Sequence, residues 1–416
     1  MIIKRLRLVQ LRVFEQTELE FGPGMNLLVG VNGVGKTTVL DVLRICLSKI
    51  LPKATVSRSR PLPFTDDDIR TDSPFLTVQF AFEFAGVNYD FLTHKQRQAN
   101  VPLTASNIRE QTLATPDKET CTPDLSKLGR TAKDSATQPL GLFFSTRRSL
   151  VSDARGSDTK AAGGQAGAFA DALASRELRL TDLASWLHAQ ETLAGESSRA
   201  KDHIAALRRA AAVFLPECRN LQAQISPKPR LIVDKNGVSL DVRQLSDGER
   251  GSLALVLDLA RRLSQANPGL ADPVTQGQAV VLIDELDLHL HPQWQRTIVE
   301  RLTNTFPRCQ FIATTHSPQI VGEVAPEKIR LLGAELVETP AQSFGMDTNW
   351  VLRVLMGTGE QNLGIQRRLD AIFKLIAQQK LDEAEGNVRQ LRQEIGNSEA
   401  LQRAASTIER IRILGQ

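Results

Sequence analysis

The stretch Gly30-Val31-Asn32-Gly33-Val34-Gly35-Lys36-Thr37 decides the fold of this chain. It satisfies the phosphate-binding pattern G-x-x-x-x-G-K-[ST] at every fixed position. The run 25–29 ahead of it is short and apolar, which predicts a buried strand. Behind it, Val39, Val42, Leu43, Cys46, Leu47 and Ile50 fall at helical spacing. They predict a helix over 38–51 that Pro52 ends. Strand, tight loop and helix are the context the pattern needs. The glycines let backbone N–H groups close around an anion, and the helix N-terminus adds partial positive charge. Asn32, Gly33, Val34, Gly35 and Thr38 are then the phosphate-lining positions, with Lys36 reaching the β- and γ-phosphates and Thr37 binding Mg²⁺.

Working outward, 2–9 and 14–21 read as strands, and Gly22-Pro23-Gly24 as the turn into the loop strand. Residues 53–74 are polar and irregular and include Asp66-Asp67-Asp68. That acidic run could hold a metal, but a solvated loop or a helix N-terminus favouring negative charge is the preferred reading. Residues 75–84 and 87–92 alternate around Gly86 as a hairpin. Residues 93–138 have few large apolar side chains and predict a mobile insertion with little core of its own. The apolar run 140–144 leads into Ser145-Thr146-Arg147-Arg148, whose arginines either face phosphate or make surface ion pairs. Residues 152–168 have linker composition, 169–225 look helical, and 231–233 with 238–242 form a hairpin around Asn236-Gly237.

A second set of residues lies further along. Leu245-Ser246-Asp247-Gly248-Glu249-Arg250 opens an amphipathic helix bearing Leu253, Leu255, Val256, Leu259 and Leu263. Ser246 and Glu249 form a capping box. A serine hydroxyl with free N–H groups at a helix start can also receive phosphate. Ala279-Val280-Val281-Leu282-Ile283-Asp284-Glu285 is a buried strand delivering two carboxylates. Asp284 is placed to hold Mg²⁺ and Glu285 to act as general base toward water. Phe311-Ile312-Ala313-Thr314-Thr315-His316-Ser317 is a further strand with a polar end. His289 and His291 lie between these strands and invite a zinc hypothesis. It is rejected because no cysteine is near and no third ligand is evident.

Composition bounds the function. The chain has 416 residues, 41% apolar and 24% charged, as in soluble globular proteins. A formal net charge of +4 is too small to argue for nucleic acid by itself. Cys46, Cys121, Cys218 and Cys309 are scattered, which fits a reducing cytoplasm rather than a disulfide framework. Residues 1–5 have no signal-peptide core, and no apolar run is long enough to span a membrane.

The four motifs, in this order, resemble an ABC-type ATPase head. In that class the signature helix of one subunit closes on the γ-phosphate held by its partner. Ser246, Asp247, Gly248 and Glu249 match the signature, with Asp247 where many members have Gly. His316 resembles the switch histidine, and Leu286-Asp287-Leu288-His289-Leu290-His291-Pro292 resembles the loop that crosses the dimer interface. The chain looks like the soluble branch that includes chromosome-maintenance and recombination ATPases. Residues 169–225 are too short for the long coiled coil of those proteins. The wording of the signature, of 283–295 and of Thr314-Thr315-His316-Ser317-Pro318-Gln319 is similar to bacterial defence ATPases. Among these it resembles the PtuA family, the ATPase subunits of Septu anti-phage systems, also found beside some retrons.

The resemblance implies an α/β P-loop ATPase head of mixed sheet and flanking helices, with a helical lobe and a C-terminal helical hairpin. The expected segments are 1–92 with the phosphate loop, the insertion 93–138, a strand, linker and helical lobe over 139–230, the rest of the head over 231–335, and a helical assembly region over 336–416. It implies ATP and Mg²⁺, a homodimer or higher homo-oligomer, and a separate HNH endonuclease subunit through which nucleic acid is met, with no membrane. Tail helices are expected at 363–379 and 381–395. The other reading is a DNA-repair ATPase acting directly on DNA. Gln79 and Gln138 are candidates for the glutamine that such heads place beside the nucleotide.

Overall fold

The computed structural model describes residues 1–97, 118–125, 137–149, 164–333, 337–357 and 363–414. They fall into two units, Met1–Asp347 and Thr348–Gln416. The strands of the first are β1 (Ile2–Leu11), β2 (Phe14–Glu20), β3 (Met25–Val29), β4 (Phe75–Phe84), β5 (Val87–Gln96), β6 (Glu119–Thr122), β7 (Leu140–Phe144), β8 (Cys218–Gln224), β9 (Arg230–Lys235), β10 (Val238–Asp241), β11 (Ala279–Ile283), β12 (Cys309–Thr315), β13 (Ile329–Leu332) and β14 (Val337–Glu338). Its longer helices are α1 (Lys36–Ala54), α2 (Leu180–Leu193), α3 (Ser198–Phe214), α4 (Asp247–Ala266) and α5 (Pro292–Thr305).

Three sheets form. β3, β7, β11 and β12 are buried at every residue, the pattern of parallel strands covered on both faces. They build the centre of a sheet ordered β14-β13-β3-β12-β11-β7, parallel except at the β13–β14 edge. The second sheet, β2-β1-β4-β5-β6, is antiparallel, and its strands alternate buried and accessible residues. One apolar cluster joins the two: Leu28, Val280, Leu282 and Ile312 meet Leu43 and Leu47 of α1 and Phe80 and Phe82 of β4. Gly141 belongs to the close approach of β7 to α1, because a Cβ there would lie 2.7 Å from Leu51 Cδ1.

Several expectations change in detail. α1 continues through Pro52 to Ala54, and Thr55 closes it by donating N–H and Oγ1 to Leu51 O at 2.8 and 2.6 Å. Asp66–Asp68 is one 3-10 turn. Asp68 Oδ2 accepts the Thr65 N–H at 2.7 Å and Oδ1 accepts from Arg12, so this carboxylate serves capping and an ion pair. Within 93–138, Glu119–Thr122 adds an edge strand to β5, while 98–117 and 126–136 lie outside the described residues. The linker reading of 152–168 lies mostly outside them too.

The helical reading of 169–225 is corrected at its end. Cys218–Gln224 is a strand that pairs with β9 in the small sheet β10-β9-β8. Its pairing shifts register between Arg219 and Gln222, and Asn220 has φ +52°. The irregularity leaves the buried Cys218 and Leu221 three apart, a spacing that imitates a helix.

The second unit contains α6 (Leu363–Ala377), α7 (Leu381–Ile395) and α8 (Glu399–Leu414). Leu369, Ile372 and Ile376 pack with Ala384, Val388 and Leu391, and then with Leu401, Ala404 and Ile408. The third helix adds to the two that the sequence pattern predicts. No helix among the described residues is long and apolar enough to cross a membrane.

Candidate functional site

The register of the parallel sheet assembles the site. Val29 pairs with Thr315, Ala313 with Ile283, and Ile283 with Phe144. Gly30, His316, Asp284 and Ser145 therefore leave the sheet at one edge, outside the carboxyl ends of the strands. The N-terminus of α1 opens at the same edge, and the chain between β3 and α1 is the phosphate loop.

That loop is shaped by glycine where a side chain cannot fit. Gly33 and Gly35 have φ of +81° and +102°. At Gly35 a Cβ would also lie 2.5 Å from Phe14 Cζ. Lys36 folds back so that Nζ donates to Gly30 O at 2.8 Å and Val31 O at 2.9 Å. Burial pushes its ammonium down, against the pull of Asp284, Glu285 and Asp287. Asn32 and Gly33 are exposed, Val34 is half-buried and Thr38 buried.

Thr37 Oγ1 lies 3.3 and 3.4 Å from the two carboxylate oxygens of Asp284. Thr314 Oγ1 donates to Asp284 Oδ1 at 2.7 Å and accepts the Glu285 N–H at 2.7 Å. A hydroxyl and a carboxylate facing across a phosphate loop are hard oxygen donors, a set that fits Mg²⁺ completed by phosphate and water. Glu285 is one residue further on, with φ +50°. A non-glycine residue in this region persists only when its surroundings over-determine it.

His316 follows β12 and is half-buried. Its N–H donates to Asp287 Oδ1 at 3.2 Å, and the same oxygen accepts Thr315 Oγ1 at 2.6 Å. Asp287 therefore fixes the turn that carries His316. Ser317 caps the short helix Pro318–Gly322 and donates to Gln295 Oε1 at 2.6 Å. His291 caps α5, its Nδ1 accepting the Gln293 N–H at 3.3 Å. His289 has φ +59°.

The signature residues form a separate cluster. Ser246 Oγ caps Glu249 N at 3.4 Å, and Glu249 Oε2 accepts the Ser246 N–H at 3.0 Å. Burial alone would raise the Glu249 carboxyl, but hydrogen bonds from Lys235 and Ser246 outweigh it and hold it below its ordinary value. Asp247 pairs with Arg250 at 2.6 Å. Gly248 fits under the loop 286–292, because a Cβ there would lie 2.4 Å from His289 O. No hydrogen bond among the described residues joins Ser246, Asp247, Gly248 or Glu249 to residues 30–38 of the same chain.

The remaining candidates are corrected by position. Gln79 lies in the antiparallel sheet and donates to Asp90 at 2.8 Å. Gln138 is buried before β7, at the opposite end from the site, where Oε1 accepts the Val56 N–H at 3.0 Å. Arg148 neither pairs at the surface nor faces the loop. It is buried beneath the acidic strand end and donates to Ser145 O at 3.2 Å and to the backbone oxygens of Asp284 and Glu285. Burial pushes its guanidinium down to about 10, against the pull of Asp284, Asp287 and Glu285. Sequence reasoning missed Thr314 and Asp287 as individual residues. The only signal was that Thr314 sits at the polar end of an apolar strand and Asp287 shortly after another.

Comparison with known proteins places the chain. Residues 25–322 match the family described as "AAA domain, putative AbiEii toxin, Type IV TA system". The chain is similar to a retron Ec83 probable ATPase of Escherichia coli, 47% identical over 149 residues, covering 36% of this chain and 27% of that protein. It is similar to the Septu protein PtuA of Bacillus thuringiensis, 33% identical over 107 residues, covering 25% of this chain and 27% of that protein. The match thus spans about a quarter of the length of these curated relatives. Among solved structures, an SMC head domain from Thermotoga maritima aligns over 82% of this chain and 100% of its own, with 13% identity and a TM-score of 0.46.

Proposed function

The chain belongs to the AAA domain family that it matches over residues 25–322, and on that premise we propose that it is a Mg²⁺-dependent ATPase of an anti-phage defence complex. In this reading two heads pair head to tail around ATP, and their nucleotide state controls a separate nuclease subunit of the HNH class in the cytoplasm. Nucleic acid is met through that subunit.

The observation that carries the ATPase reading is the pair of bonds made by Thr314, which holds Asp284 and Glu285 side by side opposite Thr37. The loop N–H groups from Asn32 to Thr38, with Lys36, bind the phosphates. When bound through Thr37 and Asp284, Mg²⁺ neutralises charge on the phosphate oxygens. Glu285 orients a water and takes its proton. His316 contacts the γ-phosphate from the next strand. The sharing of sites between copies is supported by Ser246–Glu249 making their hydrogen bonds away from the loop of their own chain. The defence setting is supported by the retron and Septu relatives.

Glu285→Gln tests the chemistry. The amide keeps shape and loses basicity, so ATP should bind with unchanged affinity while hydrolysis is lost. Turnover at the wild-type rate would move the base to another residue.

A further inference from the structure

We propose that Arg148 is a positioning residue for hydrolysis: its guanidinium bridges the backbone carbonyls of Asp284 and Glu285 and holds Glu285 in its left-handed conformation. The inference rests on Glu285 being the general base.

The sequence allows a surface ion pair or a phosphate contact for this arginine, and the structure shows neither. The side chain is 6% exposed. Among the described residues its hydrogen bonds go to three backbone oxygens, those of Ser145, Asp284 and Glu285. A buried cation needs compensation by charge and hydrogen bonds. Here the carboxylates of Asp284, Glu285 and Asp287 provide it electrostatically. A guanidinium is suited to the place because its donors lie in one rigid fork that can span two successive carbonyls. An ammonium is a point donor and cannot reproduce that bridge.

The bridged peptide is the one that needs holding. Glu285 has φ +50° without being glycine. Its N–H is held by Thr314 Oγ1, and its C=O accepts from Leu288 N as well as from Arg148. Without Arg148 the Asp284 carbonyl loses its guanidinium donor and the Asp284–Glu285 peptide can relax. The Glu285 carboxylate would then leave the place where a water must be oriented. Phosphate binding should be spared, because Arg148 makes none of the bonds that form the loop.

The test uses the full chain carrying Arg148→Lys or Arg148→Met, with folding checked by thermal melting. ATP hydrolysis is measured with Mg²⁺, and affinity with a fluorescent ATP analogue. The expected result is a kcat lower by about tenfold or more, with KM and analogue affinity within about twofold, and with Lys retaining more activity than Met. If Met fails to fold, the lysine variant alone decides. The second arm combines Arg148→Lys with Glu285→Gln and reads the slow residual hydrolysis that remains without the base, in single turnover with enzyme in excess over ATP. A residue acting through Glu285 should cause no further loss there, whereas an additive loss overturns the proposal. So does an unchanged kcat in folded Arg148 variants, or a KM that rises as far as kcat falls. The Glu285→Gln protein alone separates the two levels. If it is inactive while Arg148 variants are normal, only the role of Arg148 fails. If it hydrolyses ATP like wild type, the base assignment fails and the proposal with it.

Discussion

Thr314 donates its hydroxyl to Asp284 Oδ1 at 2.7 Å, across the β11–β12 pair. Thr314 Oγ1 itself accepts the Glu285 N–H at 2.7 Å, so one side chain sets the carboxylate and the residue after it. Thr314→Val keeps the branched shape and removes both bonds. The bond to Asp284 is buried, and leaving a buried polar group unpaired costs about 1–3 kcal/mol. The expected outcome is a lower melting temperature and a higher Mg²⁺ requirement for hydrolysis, with Thr314→Ser close to wild type. Melting curves and a Mg²⁺ titration of the three proteins check it. A valine variant indistinguishable from wild type would remove the bridge from the account.

Such a bond marks the limit of what the chain reveals unaided. The phosphate loop is legible because eight successive residues carry it, and their neighbours carry the strand and helix. Asp284 and Glu285 are legible as the end of an apolar strand. That Thr37 stands opposite Asp284 depends on sheet order, since the two are 247 residues apart. Arg148 was visible as a cation after a strand, but its partners are backbone carbonyls, which leave no mark in a sequence. β8 is hard to tell from a helix in the sequence because its irregularity spaces two buried residues as a helix would. In α8 the apolar stripe is diluted by Ala400, Ala404 and Ala405, which hides a helix that joins the same apolar cluster as its neighbours.

Asp258, in the middle of α4, is 2% exposed and pairs with Arg261 at 2.6 Å, Arg262 at 2.9 Å and also Arg176. Burial alone would raise its carboxyl, but the charges of the three arginines outweigh that and hold it well below its ordinary value. Arg262 in turn donates to Ala168 O and Ala170 O at 2.6 and 2.9 Å, tying the signature helix to the segment before α2. Asp258→Asn should cost about 3 kcal/mol or more, because it strands the buried Arg262 guanidinium. A depressed folded-state pKa gives stability that is complete above the unfolded value of about 3.9 and is lost as the pH falls toward the folded one. The gap between wild type and variant should therefore stay constant from about pH 6 to 8 and narrow in acid. Denaturant titrations across that range measure it, and a gap that widens in acid would contradict the assignment.

Lys36→Ala tests the loop. Nζ closes the loop from within through Gly30 O and Val31 O, and it is the one side-chain cation among residues 30–38. A charge-assisted contact to phosphate is worth about twice a neutral one. The alanine variant should lose ATP affinity by about a hundredfold, or about 2.7 kcal/mol, with little change in melting temperature. Isothermal titration with ATP checks it. Undiminished affinity would show that the phosphates bind elsewhere.

Ser246 tests whether the site is shared between copies. Its side chain is exposed and its bonds turn inward to Glu249, leaving the start of α4 accessible to a second chain. Ser246→Arg would put a long side chain where another subunit's γ-phosphate should dock against helix N–H groups. It should abolish hydrolysis and ATP-driven pairing while leaving ATP affinity of the single chain nearly intact. Mixing it with Lys36→Ala protein sharpens the test. In a mixed dimer, one composite site takes its loop from the lysine variant and its signature from the serine variant, so both lesions fall there. The other site is then wholly wild type. Hydrolysis that returns on mixing, when each variant alone is inactive, supports sites built by two chains. Normal hydrolysis by Ser246→Arg alone would overturn the shared site. Mixed dimers that form, as seen by light scattering, and yet stay inactive would mean either that the site is not shared or that both sites must be intact for either to turn over.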